Sequence, residues 1–246
     1  MRGTRTTLTA LFALLAAPLV AGAQWSPSAT LDLGMGYGRM ALSQAALDNA
    51  RKLSRDSDEA FRSPAAKAGP QARFDPSFTP VEAVSHTVAQ RFARYYGGDD
   101  PADREVMLAK VRSGEYHEHF RSLMSEHGLG SINDLVEVST ARYVVLWEII
   151  HGRKVTPAQA RAVRDQLRAQ FARDRWISGL DDAGKQELAE TFVLHVAAAE
   201  QANAELLRRN DPGQLARYRA GVQEQLLPGG PRLDRLAISD EGFVRR

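Results

Sequence analysis

The chain has no cysteine. That excludes a disulfide scaffold, a thiolate zinc or iron–sulfur site, a cysteine nucleophile and a lipid-modified N-terminal cysteine. Aromatic residues make up only 7% of the 246 residues. Lysine is scarce as well: Lys52, Lys67, Lys110, Lys154 and Lys185 are the only ones among 32 basic residues, and arginine supplies the rest. The arginines are scattered over the sequence rather than gathered in one run, which reads as compositional bias and not as a phosphate-binding signature. No Gly-x-Ser-x-Gly elbow, Ser-x-x-Lys or His-Glu-x-x-His occurs, so the familiar hydrolase signatures are missing. No apolar run after residue 23 is long enough to span a bilayer, which takes roughly 20 apolar residues.

What is present begins with an export signal. Arg2 and Arg5 form a positive end, Leu8 to Val20 an apolar run, and Ala21-Gly22-Ala23 a small-x-small cleavage site. This is the three-part pattern of a secretory signal peptide. Cleavage after Ala23 leaves a periplasmic or secreted chain starting at Gln24, with no stable membrane span. Removing residues 1–23 takes away two arginines and no acid, so the formal charge goes from +2 to 0. A neutral mature chain argues against nucleic acid as a partner.

Residues 24–78 carry Pro27, Pro64, Pro70 and Pro76 and little apolar periodicity, so they are expected to form a mostly irregular N-terminal arm. A short helix is expected inside it at 40–53, from Met40, Leu42, Ala46, Leu47 and Ala50. The glycines of Leu33-Gly34-Met35-Gly36-Tyr37-Gly38 lack the spacing and flanking elements of a nucleotide loop.

From residue 79 the pattern becomes helical. Thr79-Pro80-Val81-Glu82 reads as a capping box, followed by Val84, Val88, Phe92 and Tyr95 at spacings of three and four. Asp100-Pro101 opens a second helix that breaks at Ser113-Gly114. Residues 115–127 resume, either as a separate helix or as the kinked continuation of the second. Ser131 or Asn133 is expected to cap the next helix, which is apolar on most sides and belongs at the centre of a bundle. Thr156-Pro157-Ala158-Gln159 is a second capping box. Asp181 caps a long helix to about Arg209, with Leu188, Phe192, His195, Ala199, Ala202 and Leu206 on one face. Asp211-Pro212 opens the last helix, which Pro228-Gly229-Gly230-Pro231 stops. With no strand signal of any length, the expected fold is all-α: a bundle of about six helices within a 79–246 domain that ends in an extended tail.

The chemistry worth weighing is metal binding by Glu and His. Glu148 and His151 have the Glu-x-x-His spacing of carboxylate-bridged bundle sites, although such sites need the motif twice and it occurs once. His151 also sits in the last turn before Gly152, where an imidazolium suits the helix dipole. His195 occupies an inward seam position, either as a satisfied core histidine or as a ligand. Glu115 and His119 lie four apart on one helix face, a geometry open to surface chelation.

The segment from Arg142 to Phe243 resembles a family of exported bacterial helical proteins known as a domain of unknown function. The resemblance rests on His151-Gly152, Thr156-Pro157-x-Gln159, Leu180 to Thr191 with its Asp182, Lys185, Gln186 and Glu190, the Asn203–Asp211 ending, and Leu236 to Phe243. It implies export and a helical fold, with no activity, cofactor or functional residue to carry over. The sequence therefore points to an exported, non-enzymatic binding or interaction module of the cell envelope, its partner another envelope or secreted protein. The alternative is a periplasmic metal-binding bundle using Glu148, His151 and His195 or the Glu115/His119 pair.

Overall fold

The computed structural model describes residues 74–225 and 231–246. The export signal at 1–23, the helix expected at 40–53 and the rest of the arm before Phe74 lie outside the described residues, as does the Pro-Gly-Gly stop at 228–230.

The architecture is all-α, with eight helices among the described residues: α1 (Glu82–Gly97), α2 (Pro101–Arg112), α3 (Glu115–Glu126), α4 (Leu135–His151), α5 (Pro157–Arg173), α6 (Arg175–Ser178), α7 (Asp182–Arg209) and α8 (Pro212–Gln225). The expected third helix stands apart from the second, because Gly114 adopts a left-handed φ of 78° between α2 and α3. Most of the caps anticipated from sequence form. Asp100 accepts from Ala102 N, Asp181 from Gly184 N and Asp211 from Gln214 N. Thr156 and Gln159 complete their capping box.

Two caps differ. Helix α4 is capped by Asp134, whose carboxylate accepts from Val136 N and Glu137 N, rather than by Ser131 or Asn133. Helix α1 starts at Glu82 behind Val81, which has no side-chain cap of its own. Thr79 donates its N–H to Asp182 on α7 instead, so the start of α1 is fixed from another helix. The chain is also packed before the expected boundary at residue 79. Phe78 is buried, Phe74 meets Phe171 edge-on, and Leu135 N donates to Pro76 O.

Helix α4 is the axis of the bundle. Fourteen of its 17 residues are buried, the charged Glu137, Arg142 and Glu148 among them. Around it pack α3, α5, α7 and α8, while α1 closes against α7 and α2 against α1 and α3. Phe92, Tyr116, Phe120, Leu135, Leu167, Leu194 and Leu206 fill the core. At roughly 1.5–3 kcal/mol per buried large apolar side chain, this packing is the main source of stability in a chain without disulfides.

The tail is not merely extended. Residues Leu236–Ser239 (β1) and Gly242–Arg245 (β2) form a small antiparallel hairpin, with Ile238 opposite Phe243. This two-stranded sheet is a correction to the strand-free expectation, and its four-residue strands were too short to show a period. The turn requires Gly242, at φ 97°. The hairpin is held to the helices by paired bonds. Gln166 on α5 accepts Phe243 N and donates to Phe243 O, and the Trp147 indole of α4 donates to Leu236 O at 3.0 Å.

Candidate functional site

The motif at the start of α7 has a clear mechanical role. Asp182 accepts from Thr79 N and from the Lys185 ammonium. Lys185 also donates to Ser77 O at 3.0 Å. One turn on, Gln186 is fully buried; its carbonyl accepts from Val81 N at 2.8 Å and its amide donates to Val81 O and to Glu190. Glu190 in turn accepts from the Ser85 hydroxyl. These four side chains lie on one face of α7, since residues three and four apart are helix-surface neighbours. Together they clasp residues 77–85 and supply the cap that α1 lacks.

The sequence-predicted metal candidates are dispersed. Glu148 pairs with His127. Its Oε1 accepts from His127 Nε2 at 3.0 Å and from Val155 N at 2.7 Å, and Oε2 accepts from Lys154. His127 is wholly buried, and its Nδ1 donates to Leu123 O at 2.7 Å. Both ring nitrogens thus meet acceptors, an arrangement that only the imidazolium satisfies. Burial pulls the His127 pKa down, but the hydrogen bonds to Glu148 and Leu123 and the carboxylate charge outweigh it, and the net shift is upward. Burial likewise acts to raise Glu148, and the hydrogen bonds from His127 and Val155 with the charges of His127 and Lys154 more than offset it, so its pKa is lowered.

His151, three residues on, is built the opposite way. Its Nε2 donates to Leu233 O at 2.9 Å while Nδ1 accepts from Arg246, so the neutral ring is the satisfied form. Burial, with Arg246 and Arg153 nearby, lowers its pKa. His151 is therefore a docking point for the tail. Glu115 meets Gln201, and His119 pairs with Glu200 at 2.6 Å, tying α3 to α7. Among the described residues no group of three or more His, Asp or Glu side chains is gathered to hold a metal ion.

His195 lies in an aromatic interior. Phe92, Tyr95 and Tyr96 surround its ring, with centroids at 5.2, 5.7 and 5.5 Å, and Tyr96 Oη stands 3.1 Å from Nδ1. Burial, helped by the charge of Arg142, pushes its pKa down to about 3, so it is neutral. Arg142 is the residue that sequence reasoning missed. It is 1% exposed in the middle of α4, and its guanidinium lies 4.0 Å over the Phe192 ring. The available signal was a charged residue inside a helix apolar nearly all round.

A family model, described as a family of unknown function (DUF6683), matches residues 4–246. The chain belongs to that family. The match extends well beyond the C-terminal part on which the resemblance rested and takes in the N-terminal segment. No curated protein and no solved structure matches the chain. The segments behind the resemblance are joints of the family member described here: His151 receives the tail, Thr156 and Gln159 close a cap, Asp182 to Glu190 clasp α1, and Leu236 to Phe243 form the hairpin.

Proposed function

We propose that this protein is an exported, non-enzymatic binding module of the cell envelope, a rigid helical body that presents its surface and its N-terminal segment to another envelope or secreted protein. The observation that carries this reading is the use of its conspicuous polar side chains. His127, Glu148, His151, Gln186 and Glu190 all satisfy their polar atoms on partners within the bundle, which is how a framework uses them. The signal pattern of residues 1–23 supports export, and the family match from residue 4 brings most of that segment into the family's shared sequence. No helix among the described residues is long and apolar enough to cross a membrane.

Fractionation of a bacterial host making the full chain tests the export part: the expected product is periplasmic or secreted, with a mass that begins at Gln24. A chain that keeps residues 1–23 in the cytosol overturns it. A photo-reactive residue placed at Trp25 or at the exposed Leu207 tests the binding part. A discrete, saturable envelope adduct is expected, and its absence from both positions on folded protein overturns the reading.

The metal-binding alternative ranks second. It asks Glu148 to give up His127 and Val155, and His151 to give up Leu233 or Arg246. Elemental mass spectrometry of chelator-free protein, compared with a His151→Ala, His195→Ala double variant, separates the two readings.

A further inference from the structure

Independently of that reading, the geometry points to an internal binding site for a small monocarboxylate, built on α4 by Arg142 and Ser139 and backed by the Phe192 ring of α7. The starting point is an unbalanced charge. An arginine stays protonated in any protein interior, and a buried ion normally stands beside a counter-ion. Arg142 is 1% exposed, yet its Nε has no hydrogen-bond partner and it forms no ion pair among the described residues. The neighbouring His195 offers no negative charge.

The second observation lies one turn away. Ser139 is fully buried and its hydroxyl also has no partner. Positions 139 and 142 are three apart on α4 and share a face, so two unsatisfied groups, one cationic and one neutral, occur side by side in the core. Thr140, by contrast, bonds back to Val136 O at 2.7 Å, as a buried helical hydroxyl ordinarily does. Ser139 is left over on the face that Arg142 shares.

The chemistry of the guanidinium defines what is missing. Its central carbon lies 4.0 Å from the Phe192 ring centroid, and a cation–π contact supplies no conventional acceptor for the N–H groups. Those donors need an in-plane acceptor, and a planar fork of donors matches a carboxylate in bidentate fashion. Charge narrows the class further. The site supplies one positive charge and one hydroxyl, so a monoanion neutralises it, whereas a dianionic phosphate would leave a buried negative charge.

Thermal unfolding and calorimetry of the mature chain at constant ionic strength, titrated with acetate, benzoate or inorganic phosphate, test the proposal. Acetate or benzoate is expected to raise the Tm and saturate as one site, because a ligand that binds only the folded state stabilises it by mass action. Arg142→Met should abolish that response. Ser139→Ala should weaken it about three- to tenfold, the worth of one hydrogen bond. A shift of the Arg142 Nε–H resonance that saturates with the added acid gives the same answer on the unaltered chain, should the methionine variant fail to fold. The proposal is overturned by an unmoved resonance, by the same anion response in wild type and Arg142→Met, or by preference for phosphate.

Discussion

Nε2 of His127 stands 3.0 Å from Oε1 of Glu148, across 21 residues of sequence, and the two form a buried ion pair that joins the end of α3 to the end of α4 and, through Val155, to the loop that enters α5. Removing one member of such a pair leaves the other buried and uncompensated, at a cost of about 3–5 kcal/mol. Glu148→Gln and His127→Ala should each destabilise the fold by that order in urea titrations. A double variant with apolar residues at both positions should be closer to wild type than either single one.

The same pair sets a pH window. His127 is raised above 6.5 by folding, so its contribution is complete below that value and disappears as pH climbs through the folded pKa. Glu148 is lowered below 4.5, so its contribution is complete above that value and disappears as pH falls through the folded pKa. The pair therefore stabilises most between 4.5 and 6.5. Tm measured from pH 4 to 9 should fall on the alkaline side more steeply in wild type than in His127→Gln.

Gln186→Ala leaves Val81 N–H without its partner, while Val81 O keeps the N–H groups of Val84 and Ser85. Val81 is exposed, so the lost bond costs about 0.5–1.5 kcal/mol, and the loss should be local. Hydrogen exchange is expected to accelerate across residues 77–88 while α4 and α5 keep their protection. Uniform acceleration through the bundle would contradict this assignment.

At Gly97 the backbones of α1 and α2 come close. A Cβ there would stand 2.5 Å from Arg104 N and 2.6 Å from Arg104 Cα, both backbone atoms that cannot swing aside. Gly97→Ala should cost about 1–3 kcal/mol, the usual penalty of overpacking. The loss should appear in the denaturant midpoint with the m-value unchanged.

The sequence disclosed what is decided locally. Asp100, Thr156, Gln159, Asp181 and Asp211 act on groups two or three residues away, and their roles were readable from spacing alone. The start of α1 was misread because the groups that cap it, Asp182 and Gln186, lie about 100 residues away. Spacing also drew attention to Glu148 and His151, but one turns to His127 and the other to Leu233, and the period of a helix does not tell which neighbour a side chain meets. Arg142 was overlooked for a related reason. A charge inside an apolar helix was the one signal in the sequence, and its burial against Phe192 exists only once α4 and α7 are packed.

The clasp at Asp182 to Glu190 and the tail anchor at His151 have a joint mechanical consequence. Chain enters the bundle where Leu135 N holds Pro76 O, at the first turn of α4, and Arg246 is fastened to His151 at its last. The two attachment points are separated by the 17 residues of that helix, about 25 Å along its axis. A pull between the N-terminal segment and the tail is thus directed along the helices and loads their contacts in shear, many at once, instead of peeling one element after another. A bundle wired in this way keeps its shape when its two ends are drawn apart.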